Sequence, residues 1–199
     1  MSHYFDQSPD AGSDETIVDV ALADVAFTMA TDHGVFSHGH VDTGTALLVR
    51  EAPAPSTGNL LDLGCGTGAI ALTMALRSPD ATVWAVDPNE RARGLTERNA
   101  DRNGVTNIRV CAPSEVPQDV RFSTIWSNPP IRVGKAALHD LLAGWLARLD
   151  DDGTAVLVVQ KHLGADSLQR WLGAQGLATV RLASRTGFRL FLVAGREPH

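Results

Sequence analysis

The sequence predicts an α/β fold: a mostly parallel sheet of seven strands with helices on both faces, a C-terminal antiparallel hairpin, and a short strand-rich leader in front. Two observations carry this. From Asn59 onward, short apolar runs alternate with amphipathic stretches, as strands buried between two helical layers require. The last two apolar runs are parted only by "RTG", too short for a parallel crossover, so they pair antiparallel. With 199 residues, 44% of them hydrophobic, the chain can bury one sizeable core, and one structural domain is expected.

Residues 1–15 are polar and read as a loose arm. In "TIVDVALADVAFTMAT", Val18, Val20 and Leu22 alternate, then Val25, Phe27 and Met29, which predicts two short strands as a hairpin or irregular pair. "EAPAPSTGN", from Glu51 to Asn59, is a loop by its Pro, Gly and small polar residues, and it separates the leader, residues 1–58, from an ordered series over 59–199. That series begins with strand "NLLDLG", helix "GAIALTMALR", strand "TVWAV", helix "NERARGLTERNADRNG", and strands "NIRVC" and "FSTIWS". After a Pro-Pro turn come helix "KAALHDLLAGWLARL", strand "GTAVLVVQ", a helix over about 165–174, and strands "ATVRLAS" and "FRLFLVAG". Trp84, Trp126, Trp145 and Trp171 fall in apolar periodic patterns and are assigned to the core.

The net charge of -6 argues against whole-surface attraction to nucleic acid but not against a local patch. Arg91, Arg93, Arg98 and Arg102 share one predicted helix, and Arg181, Arg185, Arg189 and Arg196 gather near the C-terminus; solvated faces are the simpler reading of both groups. Cys65 and Cys111 sit in apolar contexts and read as buried reduced thiols rather than a disulfide or metal ligands. The apolar runs are far too short to cross a bilayer, and the polar N-terminus lacks a signal peptide's basic start, so a cytoplasmic location with no membrane partner is expected.

"LLDLGCGTGAIALTMAL" has a strand ending near Asp62, then Gly64, Gly66 and Gly68 at alternate positions, then a helix. Glycines at such a junction allow positive φ and let a ligand lie against the main chain at the carboxyl edge of the sheet. The spacing is not the dinucleotide fingerprint, and no Lys-Ser/Thr follows, so a cofactor without a pyrophosphate is favoured. Asp87, at the end of the next strand, comes to the same edge about twenty residues on, where a carboxylate can accept from both hydroxyls of a ribose. Its other reading is an N-cap, since "DPNE" also opens the following helix.

"SNPPIRVGK", Ser127 to Lys135, stops a core strand with an amide and two prolines. Pro129 and Pro130 cannot donate to a ladder and restrict the residues before them, so a stiff extended turn is expected that holds Asn128 still. The turn is either a plain strand terminator capped by Asn128 or a rigid mount for its amide.

"DLGCGTG", Asp87 and "NPP" together resemble the class I S-adenosylmethionine-dependent methyltransferases, which have a Rossmann-like fold, over roughly Asn59 to the C-terminus. "GVFSHGHVDTGTALLV" and "NPPIRVGK" resemble the RsmC-like group, which includes ribosomal RNA guanine-N2 methyltransferases. The resemblance implies Asp42 and Gly44 near the methionine end of S-adenosylmethionine, Asp62, Gly64, Cys65, Gly66 and Gly68 around its middle, and Asp87 with Pro88 at its ribose. Many relatives hold adenine with an acidic residue after the third strand; here "VCAPSEVP" offers the Ala112 backbone and Ser114, with Glu115 nearby. In the resemblance, the Asn128 side-chain oxygen and the Pro129 carbonyl accept hydrogens from a planar amine as positive charge develops on it. Pro129 and Pro130 together fix the carbonyl's direction, and Ile131 covers one face of a flat substrate where relatives often have an aromatic.

The leading expectation is therefore a methyltransferase acting on guanine N2 in small-subunit ribosomal RNA, the RNA or the subunit being the partner and a homodimer an option. A protein glutamine N5-methyltransferase shares "NPP" but typically continues with an aromatic residue. Small-molecule N-methylation and a noncatalytic cofactor-binding ribosome-associated module are the remaining alternatives. His38 and His40 form an H-x-H pair without a third ligand cluster, so no metal is expected. Lys135 and Arg132 read equally as phosphate contacts or as a helix opener and a solvated arginine.

Overall fold

The computed structural model describes residues 15–32 and 39–195. Strands β1 (Thr16–Ala21) and β2 (Ala26–Thr31) pair antiparallel, as the alternation in the leader predicts. The arm over 1–15 lies outside the described residues except for Glu15, whose carboxylate meets Arg98 at 2.7 Å.

The leader is not made of strands alone, because helix α1 (Thr43–Glu51) follows the hairpin. Its Gly, Thr and Val content gives a weak intrinsic helix preference. Two other effects win: Asp42 Oδ2 caps the helix, accepting from the N–H groups of Gly44 (2.9 Å) and Thr45 (3.0 Å), and Leu47, Leu48 and Val49 are buried.

The main sheet contains β3 (Asn59–Leu63), β4 (Thr82–Val86), β5 (Ile108–Cys111), β6 (Phe122–Ser127), β7 (Leu149–Gln160), β8 (Ala178–Arg185) and β9 (Phe188–Ala194). Their order is β5-β4-β3-β6-β7-β9-β8, parallel from β5 to β7 and antiparallel through β9 and β8. The connecting helices are α2 (Ala69–Arg77), α3 (Glu90–Arg102), α4 (Lys135–Leu146) and α5 (Ala165–Ala174). Period-two alternation divides the core between the faces. Leu60, Val83, Ala85, Trp126 and Val156 pack with α1 and α2, whereas Leu61, Trp84, Ile125, Leu157 and Phe191 pack with α4 and α5.

The chain turns from β3 outward to β5 and then returns to β6, which makes the β3/β6 boundary a topological switch point, where open α/β sheets place their ligands. Ser127 Oγ ties the strand ends there by donating to Leu63 O at 2.7 Å.

Some boundaries differ from the sequence reading. The run taken as helix through Leu149 stops at Leu146, and Leu149 already starts β7. Arg148 sits in the break, donating to Pro117 O and Val120 O while its guanidinium lies 4.8 Å from the Trp145 ring. Cys65 is a buried free thiol, but Cys111 is only half-buried. Trp84, Trp126 and Trp145 are core residues; Trp171 is partly buried and stacks on His139 at 4.1 Å. Among the described residues no helix is long and apolar enough to cross a membrane.

Candidate active site at the carboxyl edge of the sheet

The glycine loop joins β3 to α2 by turning through positive φ at Gly64 (81°), Gly66 (54°) and Gly68 (86°). A Cβ built on Gly64 or Gly66 would meet nothing within 4 Å, so the loop's main chain borders open space. Gly68 faces inward instead, where a Cβ would lie 2.9 Å from Thr96 Cγ2. The loop is fixed from below: Gly64 N–H donates to Val86 O (2.8 Å) and Gly66 N–H to Asp87 Oδ2 (3.0 Å).

Two acidic side chains lie at the loop, one beneath it and one beside it. Asp62 is fully buried; Oδ2 accepts from Ala71 N–H at 2.9 Å, and Oδ1 has no hydrogen-bond partner. Burial, with a smaller contribution from the nearby Asp87 charge, pushes its carboxyl up to about 8 against the Ala71 hydrogen bond. Asp87, at the exit of β4, accepts from Gly66 and Asn89 N–H groups, and burial raises its carboxyl above the ordinary range despite them. The cap of α3 is Asn89, not Asp87: Asn89 Oδ1 accepts from Arg91 N–H (2.9 Å) and Ala92 N–H (3.3 Å). Burial also pushes the Cys65 thiol up.

The arginines of α3 are not one solvated face. Arg93 donates to Asp87 O and Pro88 O, both at 2.9 Å, and Arg91 grips the buried Asp32 bidentately at 2.8–3.0 Å. Further along the same row, Asn99 and Asn103 stand in for a neighbouring strand. Asn99 exchanges hydrogen bonds with Ala30 N–H (2.7 Å) and O (2.9 Å), and Asn103 with Thr28 N–H (3.0 Å) and O (2.7 Å). The match is geometric, since four residues of helix and two of strand both advance roughly 6–7 Å. Asn99 Nδ2 also donates to Thr67 O at 2.9 Å, which couples the leader to the glycine loop.

Across the switch point, Asn128 is half-buried at the end of β6. Its Nδ2 donates to Asp42 Oδ2 at 2.8 Å and to Thr45 Oγ1 at 3.1 Å. The opposite amide orientation would set two oxygens against each other, so this contact fixes which end of the amide is free. Oδ1 is left available as an acceptor. Gly44 is required nearby, because a Cβ there would lie 2.8 Å from Phe188 Cε1 and 3.0 Å from Asp42 Oδ2. The two prolines form a tighter turn than the expected extended one. Pro130 (φ -73°, ψ 79°) centres an inverse γ-turn in which Pro129 O accepts from Ile131 N–H at 2.9 Å. Ile131 is partly packed against the α4/α5 core.

After β5, Ala112 N–H donates to Glu115 Oε2 (2.6 Å) and Ala112 O accepts from Glu115 N–H (3.0 Å), so both main-chain groups are engaged locally; Ser114 is exposed. His38 lies outside the described residues, and His40 is exposed. Thr45, Asn99 and Phe188 were not among the sequence candidates. The caps-rich "DTGT" and the Asn99/Asn103 spacing were the available signals; for Phe188 there was none.

The residues fit an adenosyl sulfonium. The open space above the glycines is bordered by main chain and by the Asp87 carboxylate, the buried Asp62 Oδ1 below lacks a partner, and the nearby Arg91 and Arg93 are tied back. The family described as the methyltransferase small domain matches residues 26–191. An uncharacterized protein of Bacillus subtilis, YbxB, is 37% identical over 83% of this chain and 84% of its own length. Ribosomal RNA small subunit methyltransferase C of Pseudoalteromonas atlantica is 31% identical over 75% of this chain and 45% of its own. The protein of that name from Pseudomonas putida is 31% identical over 94% and 57%. The chain thus spans about half the length of these methyltransferase C relatives. Among solved structures, the T. thermophilus 16S ribosomal RNA guanine-N2 methyltransferase RsmC, in complex with AdoMet and guanosine, shares the fold. It has a TM-score of 0.75 and 23% identity over 95% of this chain and 52% of that one. The chain belongs to the methyltransferase small domain family of S-adenosylmethionine-dependent methyltransferases.

Proposed function

We propose that the chain methylates the exocyclic N2 amine of a guanine in small-subunit ribosomal RNA. The carrying observation is the Asn128 amide, whose nitrogen is held by Asp42 and Thr45 so that its oxygen alone faces a substrate. Methyltransferase C relatives at 31% identity support the RNA target. S-adenosylmethionine supplies an electrophilic methyl on a sulfonium. Asn128 Oδ1 and the second lone pair of Pro129 O accept the amine's hydrogens and aim its nitrogen lone pair. Transfer of the methyl to that nitrogen would leave the C–S electrons on sulfur, and the amine's surplus proton would leave to solvent. The acceptors stabilise the positive charge that develops on nitrogen, so no covalent enzyme intermediate is needed.

In this reading Asp42 and Gly44 border the methionine end of the cofactor, with Asp42 also orienting Asn128. Asp62, Gly64, Cys65, Gly66 and Gly68 surround its middle, and Asp87 with Pro88 takes the ribose hydroxyls. Ala112 and Ser114 offer adenine a surface more than hydrogen bonds, given the Glu115 contacts. The leader and the sheet act as one structural domain through the asparagine ladder. The test is transfer of labelled methyl to unmodified small subunits, naked ribosomal RNA and total cell protein, followed by nucleoside analysis. Label in RNA as N2-methylguanosine is expected; label only in protein would overturn the reading.

A further inference from the structure

The carboxyl edge is unevenly charged. β6, β7, β9 and β8 are successive neighbours, so their ends on this edge span roughly 14 Å. Around them stand Arg132 in the 3-10 turn Ile131–Val133, Lys135 at the start of α4, Lys161 in the 3-10 turn Lys161–Leu163, and Arg185 at the end of β8, all exposed. Lys161 N–H donates to Gly187 O at 2.8 Å, which pins the β7 exit to the β8–β9 turn and holds these cations on one rim. The rim's acids are already committed: Asp166 pairs with Arg189, and Glu51 with Arg50 at 3.2 Å and Arg185 at 3.9 Å. Arg132, Lys135 and Lys161 have no carboxylate partner among the described residues. α4 also starts here without a side-chain cap or first-turn acid, so its free N–H groups add positive potential. Leu163, 43% exposed, stands in the same turn as Lys161 and gives the rim an apolar contact. On the glycine-loop side the charged groups near the edge are Asp87, Glu90 and Glu115, while Arg91 and Arg93 turn inward. In a chain of net charge -6, this segregation is specific to the Asn128 side.

We infer that this rim of Arg132, Lys135, Lys161 and Arg185 is the docking surface for the sugar–phosphate backbone of an RNA strand whose target base enters at Asn128. The inference rests on the RNA reading above. Spaced cations with an apolar contact between them suit a polyanion carrying flat bases, and phosphate contacts position such a strand without reading its sequence.

The experiment compares the wild-type chain with the triple variant Arg132→Gln, Lys135→Gln, Lys161→Gln, and with Arg98→Gln, Arg102→Gln on α3 as a control that removes positive charge away from the rim. Binding of labelled small-subunit ribosomal RNA is followed from about 50 to about 200 mM salt, and methyl transfer to the same RNA is measured alongside. Each lost phosphate contact on a single strand lowers the salt slope by about 0.7, so the triple variant should lose about 2 in slope. Its KM for RNA should rise ~10-fold or more, with turnover at saturating RNA within ~3-fold and the control unchanged. A triple variant with wild-type slope and KM would overturn the rim while leaving the RNA reading intact. A wild-type chain that neither binds nor methylates RNA would overturn both, and equal rim-dependent binding to anionic lipid vesicles would overturn the commitment to RNA.

Discussion

The glycine-loop half of the carboxyl edge is acidic and built from main chain around an open space, whereas the Asn128 half is basic and carried by side chains on turns and element ends. In the first half, Asp62 and Asp87 are kept in place by backbone N–H groups, and the open space is defined by glycines. In the second, one amide is oriented by a helix cap from the leader, and exposed cations stand around it, with only Arg185 paired to a carboxylate, Glu51. The difference indicates a division of labour. A cofactor that is always the same suits a fixed main-chain cradle, while a substrate that differs between relatives suits replaceable side chains.

If the division holds, single substitutions should damage one half and spare the other. The largest effect belongs to Asn128→Ala, which removes an acceptor for developing charge: turnover should fall at least ~100-fold with cofactor Kd within ~3-fold. Single-turnover rates and calorimetric titration separate the two quantities. Asp87→Ala should do the reverse, weakening cofactor binding by ~10- to 100-fold, the scale of charge-assisted hydrogen bonds, while turnover at saturating cofactor stays within ~3-fold. Unchanged affinity in that variant would remove Asp87 from the ribose.

Asn99→Ala sharpens the comparison from further away. It strands Ala30 N–H and O and Thr67 O, so stability should fall by about 2–3 kcal/mol, read from denaturant midpoints, with cofactor Kd raised only a few-fold through the loosened loop. The last variant, Asp62→Asn, changes how stability varies with pH. The folded carboxyl holds its proton up to about pH 8, against 3.8 for the ordinary group, so between these values the folded state carries the extra proton. This contribution to stability is fully present below about pH 4, declines as pH rises and is exhausted above about pH 8. The amide mimics the protonated carboxyl and does not titrate, so its melting temperature should fall less between about pH 5 and about pH 8. Parallel melting curves with equal slopes for the two proteins would contradict the buried proton.

The strand-and-helix series was legible because its signals are local. "TVWAV" and "FSTIWS" carry strand patterns that match β4 and β6 at both ends, and the helix read over 165–174 is α5. The glycine loop announces itself because positive φ needs glycine. Helix α1 was not legible, since "TGTALLVRE" has weak helix preference and owes its form to a cap and to burial by distant strands. Within the candidate site, Asn128 could be singled out from its prolines, but its partners could not. Asp42 and Thr45 lie 86 and 83 residues away, and only the folded sheet brings them together. Of the basic rim, Arg132 and Lys135 could be raised from the sequence as phosphate contacts, but their convergence with Lys161 and Arg185 could not, the members being scattered over four segments in a chain that is acidic overall.

The separability of the two halves is tested most directly by a double-mutant cycle on Asn128→Ala and Asp87→Ala, measuring single-turnover kcat/KM for S-adenosylmethionine with a saturating RNA substrate. Asn128 and Asp87 share no hydrogen-bond partner, so their losses should multiply to within about two-fold in the double variant. A double variant no slower than the worse single one would mean that both residues serve one unit and that the division of the edge is wrong.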